Sequence, residues 1–249
     1  MRPFIEIPAA EGTVEAVLAR PDAEGTYPGV ILFMDAIGLR PRIEEMADRI
    51  ASWGYVVLAP NTFYRSGTAA ETTPTTDLRD PEERAAYGKV SGSYLAELTG
   101  ARMEADLPYY VTALRGVEGV DPGPIGVTGY CMGARFSTRA AGLEPTVAAC
   151  GGFHGAELVT PEEDSPHTRL ATARAAFVYG HADQDKLNPP EAIATLEATL
   201  AAAGLEAQST IYPDAPHGFT MSDTSSYQEA GAERHFEELR TLFDRTLRA

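Results

Sequence analysis

The sequence predicts an α/β fold, with a mostly parallel central sheet flanked by helices on both faces. Three observations carry that prediction. Residues 28–34, 55–60 and 124–130 are apolar runs of strand length without polar alternation, the pattern of strands covered on both faces. Between the first two, Ile43, Met46, Ala47, Ile50 and Ala51 recur at helical spacing, so a strand, a helix and a strand follow one another. That order implies a right-handed crossover and a parallel pair. Lastly, the third run ends in Gly129-Tyr130-Cys131-Met132-Gly133, the layout of a sharp strand-to-helix turn with a nucleophile at its tip.

Taken in order, residues 4–8 and 13–20 alternate apolar and polar side chains and suit an antiparallel pair turning at Glu11 and Gly12. Residues 28–34 form the first central strand. A helix follows from Arg42, closed by Gly54 in a left-handed cap, and 55–60 is the next strand. Residues 67–80, rich in Thr, Ala, Asp and Pro, read as a surface loop, with helices over 81–90 and 101–117 beyond it. The strand at 124–130 feeds the glycine turn and a helix over 134–141. Strands at 146–151 and 175–179 flank a long loop, followed by a helix over 190–203 and a last strand at 208–212. Ala230, Phe236, Leu239, Leu242, Phe243 and Leu247 mark an amphipathic terminal helix. No repeat or long linker divides the chain, so one domain over residues 1–249 is expected.

Composition narrows the function classes. Hydrophobic residues make up 44%, enough for a sizeable core, yet no apolar run approaches a membrane span. A formal charge of −16 argues against nucleic acid and anionic membranes as partners. Cys131 and Cys150 are too few for a disulfide framework, and Met1 to Glu6 carry no signal pattern, which fits a cytoplasmic protein. The expected partner is a small molecule, bound by a monomer or homodimer without a cofactor.

In an open parallel sheet, functional groups gather beyond the carboxyl ends of the strands. Reading those ends in order gives Asp35, Cys131, Asp183 and His217. Cys, then Asp, then His is the triad order of the α/β-hydrolase fold. A thiolate at Cys131 would be the nucleophile, and His217 the base and later the acid. Asp183 would hold the imidazole tautomer; Asp185 competes for that role, and the shorter reach from the strand end favours Asp183. The other candidates read as structural. Cys150 sits in an apolar run as a buried small residue. His154, His167 and His181 lack metal-ligand spacing, so no metal site is expected. His235, within the terminal helix, is expected at the surface.

These residues resemble the dienelactone hydrolase family of the α/β-hydrolases. The likeness rests on the Cys elbow at 129–133, on Asp183, and on His217-Gly218-Phe219. It runs from about Pro28 onward and takes in residues 54–60 with the aromatic-rich Phe63-Tyr64-Arg65 beyond them. The resemblance implies hydrolysis of a small lactone or ester, of the carboxymethylenebutenolidase class, through an acyl-enzyme. It also implies an acid after the first central strand that helps deprotonate the thiol. Here that acid is Asp35, one methylene shorter than the family's Glu. The oxyanion hole should comprise the backbone N–H groups of Met132 and Ala36.

One departure bears on substrate. The family holds a substrate carboxylate with arginines, one shortly after the catalytic His, and the matching position here is Met221, which cannot pair an anion. Arg65, Arg79 and Arg84 could supply a guanidinium, and Tyr130 and Phe153 could line the pocket. An altered substrate preference is therefore expected. The rival readings are a thioesterase or acyl-transferase, and a non-catalytic binding or thiol redox-sensing member of the fold.

Overall fold

The computed structural model describes residues 4–248. Its strands are β1 (Ile5–Ala9), β2 (Gly12–Ala19), β3 (Gly29–Phe33), β4 (Val56–Pro60), β5 (Ile125–Tyr130), β6 (Val147–Phe153), β7 (Ala176–Ala182) and β8 (Ala207–Tyr212). They form one sheet in the order β1-β2-β4-β3-β5-β6-β7-β8. β1 pairs β2 and β2 pairs β4 antiparallel, while every pairing from β4 through β8 is parallel. The mostly parallel α/β sheet expected from the apolar runs is present. β3, β4 and β5 are buried along their whole length, because helices cover them above and below.

The helices are α1 (Pro41–Ser52), α2 (Ala69–Thr72), α3 (Pro81–Glu97), α4 (Gly100–Arg115), α5 (Gly133–Leu143), α6 (Pro190–Ala202) and α7 (Glu229–Leu247), with a 3-10 helix at Pro166–Thr172. α1 and α7 share one face of the sheet, where Arg49 pairs with Glu233 and Trp53 packs edge-on against Phe236. α4 and α5 cover the other face, joined by Arg139 and Glu104 at 2.5 Å. α3 packs differently. Among its residues Ser91 alone is buried, and the helix lies across the carboxyl ends of the strands rather than on a face.

Three departures from the sequence expectation bear on the site. The segment at 67–80 contains α2, started by a capping box in which Thr68 and Glu71 satisfy each other's backbone N–H groups. α3 runs on to Glu97. β7 runs on through Gly180, His181 and Ala182, which pair with Thr210, Ile211 and Tyr212. A polar residue does not end that strand because its ring is satisfied inside the protein: His181 Nδ1 meets Asn188 Nδ2 at 3.0 Å and Nε2 meets Ser209 Oγ at 2.9 Å. Among the described residues, no helix is long and apolar enough to cross a membrane.

Candidate active site

Cys131 sits at the tip of the turn between β5 and α5 with φ of 53°, a left-handed conformation costly for a residue with a side chain. The surroundings hold it there. Its N–H donates to Phe153 O at 3.1 Å, and its carbonyl accepts from Ala134 N and Ala156 N, both at 3.2 Å. The flanking glycines are required by space. A Cβ on Gly129 would lie 2.0 Å from Gly133 O, and one on Gly133 would lie 2.3 Å from Phe33 O. The thiol thus stands half-exposed at the N-terminus of α5, where the helix dipole favours negative charge.

His217 Nε2 lies 3.1 Å from Cys131 Sγ, and His217 Nδ1 lies 2.6 Å from Asp185 Oδ2. Burial opposes protonation of this ring, but a negative charge on Cys131 and the Asp185 hydrogen bond outweigh it, and its pKa is pushed up to about 10. The acid facing the histidine is therefore Asp185, not Asp183, a correction that follows from the longer β7. With the strand ending at Ala182, Asp183 is held in the adjoining turn: its N–H donates to Ala215 O, and its Oδ2 accepts from Asp214 N at 3.1 Å. Gln184, with φ of 52°, then reverses the chain and brings Asp185 under the imidazole, where Leu187 N–H donates to its second oxygen at 2.9 Å.

Cys131 and His217 open into a cavity of about 330 Å³ with walls from Ala36, Ile37, Leu78, Leu95, Leu187 and Met221, and with Arg84, Tyr87, Gly88 and Ser91 from α3 as its cover. Tyr87 Oη lies 2.7 Å from Thr72 O and 3.0 Å from Ile37 O, which pins α3 over the cavity. His154 is a further wall residue. It is buried, packs edge-on against His217 with centroids 5.4 Å apart, and bonds Thr220 Oγ1 through Nε2 at 2.8 Å. Burial, reinforced by the neighbouring His217 and His235, holds its pKa well below the usual histidine value. Among the described residues, neither the Ala36 nor the Met132 N–H donates to another group of the chain. No three His, Cys, Asp or Glu side chains among those residues gather as a metal site.

Several expected site residues lie elsewhere. Asp35 lines the cavity, but both its oxygens are engaged by Arg40, at 2.6 and 3.1 Å, and it makes no hydrogen bond to the thiol. Arg65 is drawn away by Asp106 and Glu11, and Arg79 is an exposed side chain near Asp77. Arg84 does reach the cavity, donating to Ser226 Oγ at 2.5 Å, and no carboxylate among the described residues pairs with it. Tyr130 and Phe153 point beneath α7 instead of into the cavity, stacked on each other and packed against His235. His235 is accordingly buried, not at the surface, with its Nδ1 on Ala232 O and its Nε2 3.3 Å from Tyr130 Oη. Cys150 is buried as expected, and burial pushes its thiol up to about 12. Arg40 and His154 went unread as site residues. An arginine fixed before a helix-opening proline, close behind a strand-end acid, was the available signal for the first.

A doubly covered, mostly parallel sheet with a cysteine elbow and a histidine at the neighbouring loop defines an α/β hydrolase architecture. Residues 14–247 match the dienelactone hydrolase family, and the chain belongs to it. It is 28% identical over 204 residues to a protein named carboxymethylenebutenolidase in Salmonella typhi, covering 81% of this chain and 71% of that one. A protein of the same name in Methylorubrum extorquens is 24% identical over 244 residues, covering 96% and 79%. Among solved structures, a Klebsiella pneumoniae protein named as a dienelactone hydrolase superposes with a TM-score of 0.82 at 24% identity, covering 96% of both chains. A dienelactone hydrolase-like promiscuous phosphotriesterase from metagenomic libraries gives 0.79 at 19% identity, covering 98% and 97%. At those identities, the structural likeness establishes the fold.

Proposed function

We propose that the chain hydrolyses small lactones or esters through Cys131, His217 and Asp185, with a covalent acyl-enzyme. The observation that supports this best is the unbroken hydrogen-bonded line from Sγ through the imidazole to a buried carboxylate. Cys131 thiolate attacks the carbonyl carbon, forming the C–S bond and a tetrahedral oxyanion to which the Ala36 and Met132 N–H groups donate. The C–O bond then breaks, and the leaving alkoxide takes the proton from His217 Nε2. The imidazole, now neutral, removes a proton from water as the hydroxide attacks the thioester. Collapse releases the carboxylic acid and restores the thiolate beside a protonated His217. Asp185 keeps Nδ1–H in place throughout. Asp35, clamped by Arg40, is left out of thiol activation.

The cavity also supports a substrate preference away from the dienelactone. Its walls are largely aliphatic and Met221 stands where the resemblance implies an arginine, so that among the described residues lining it Arg84, without a carboxylate partner, is left as a single guanidinium where the family uses more than one. Neutral small esters should be turned over at rates comparable to the dienelactone; a strict preference for the dienelactone would sink this part. For the chemistry, Cys131→Ala should abolish ester hydrolysis with the fold retained by circular dichroism. Esterase activity surviving in that variant would refute the role.

A further inference from the structure

Arg40 touches none of the reacting atoms, yet it joins the two loops that present them. The local sequence aims it there. Pro41 forces the preceding residue out of the helical region, and Arg40 is extended at φ −136° and ψ 173° as the N-cap of α1. Its side chain folds back beneath the turn after β3 and is only 3% exposed. On that side, Nη1 donates to Asp35 Oδ1 at 2.6 Å and to Gly38 O at 3.2 Å, while Nη2 donates to Asp35 Oδ2 at 3.1 Å. Asp35 Oδ1 also accepts from Ile37 N at 3.0 Å. That hydrogen bond closes an Asx-type turn around the Ala36 peptide.

The other edge of the guanidinium faces the histidine loop. Nε lies 2.5 Å from Asp223 Oδ2, and Nη2 lies 3.2 Å from Asp223 Oδ1. Asp223 follows His217 in a loop folded on itself by Met221 N to Gly218 O and Thr224 N to Met221 O. A planar fork can satisfy two carboxylates at once with fixed angles, which a point-charge ammonium cannot.

We propose that Arg40 is a positioning residue, clamping Asp35 and Asp223 together so that the Ala36 N–H and the His217 ring keep a fixed separation across the substrate carbonyl. The inference rests on the Cys131 mechanism above. A merely structural buried pair would affect folding and leave the chemistry of folded molecules unchanged.

The test uses Arg40→Lys and Asp223→Asn in the full chain. Asp223 is partly exposed, so its variant keeps the fold even if Arg40→Lys does not. Three quantities are read: kcat/KM on 4-nitrophenyl acetate, inhibition by a trifluoromethyl ketone, and the rate of alkylation by iodoacetamide. The ketone adds to the thiolate and places an oxyanion in the hole, whereas alkylation is a displacement at carbon that needs the thiolate and no hole. Arg40→Lys should lower kcat/KM about 10-fold or more and weaken ketone inhibition by a similar factor, with alkylation unchanged. Asp223→Asn should move both in the same direction by about 3-fold or more. Unchanged kcat/KM in folded Asp223→Asn overturns the clamp, and so does alkylation falling in step with turnover, which would mean that Arg40 acts on the thiol. Cys131→Ala, run alongside, keeps the two readings apart: activity surviving there sinks the mechanism, whereas an inert Asp223 variant sinks the clamp alone.

Discussion

Asp183 and Asp185 flank a single residue, Gln184, whose left-handed backbone sends their carboxylates to different partners. Asp183 accepts a backbone N–H from the turn ahead of His217, a task that an asparagine oxygen performs nearly as well. Asp185 stabilises a protonated ring, which a neutral amide does not. Asp185→Asn should therefore lower kcat by about 10²–10⁴-fold, and Asp183→Asn by no more than about 3-fold, measured on one neutral ester near pH 8. The reverse ranking would return the role to Asp183. The same ring sets the alkaline limit. With its pKa pushed up to about 10, His217 keeps its proton below that pH and loses it above. Without that proton the leaving alkoxide has no acid, so the rate should fall as pH rises through about 10. In Asp185→Asn, that limb should move to lower pH.

At the scale of the element, the sequence was readable wherever a strand was buried on both faces and a glycine answered to backbone contact. The runs at β3, β4 and β5, and the Gly129 and Gly133 pair, were legible for that reason. Tertiary hydrogen bonds were not legible. The strand is read to end at residue 179 because His181 is polar, whereas Asn188 and Ser209 satisfy its ring inside the sheet, and with those three further residues the carboxylate facing His217 is that of Asp185 and not of Asp183. α3 was read short because its middle carries Gly88 and Gly92 and little apolar periodicity. A Cβ on Gly92 meets nothing within 4 Å, and the position lies in mid-helix at the surface. Gly92→Ala should thus stabilise α3 by about 0.5–1 kcal/mol through the lost freedom of the unfolded chain. Slower amide exchange along 81–97, with kcat/KM unaltered, is the expected readout. Faster exchange there would show that the position is packed.

Across the whole molecule, one histidine gains a proton's stability and the other four resist protonation, three of them buried. Burial lowers the pKa of His181 to about 4 and holds those of His154 and His235 well below the usual value. In the unfolded chain all three titrate near 6.5. Between their folded and unfolded values, the unfolded state binds more protons, so stability must fall as pH drops below about 6.5, by up to about 1.4 kcal/mol per pH unit for each ring. His217 has the opposite sign: raised in the folded state, its contribution is complete below about 6.5 and is lost as pH climbs toward 10, so it does not mask the acid limb. A formal charge of −16 also works against the effect, because acidification relieves self-repulsion. The discriminating comparison is therefore between proteins of nearly equal charge. His235 lies among Phe153, Phe219 and Phe236, and His235→Phe removes one titrating ring from that aromatic cluster. Urea midpoints at pH 6.5, 5.8 and 5.0 should fall less steeply with acid in His235→Phe than in the parent, whatever the variant's stability at pH 7. Equal slopes would mean that His235 is protonated as easily inside the fold as outside it, and that its burial costs the imidazolium nothing.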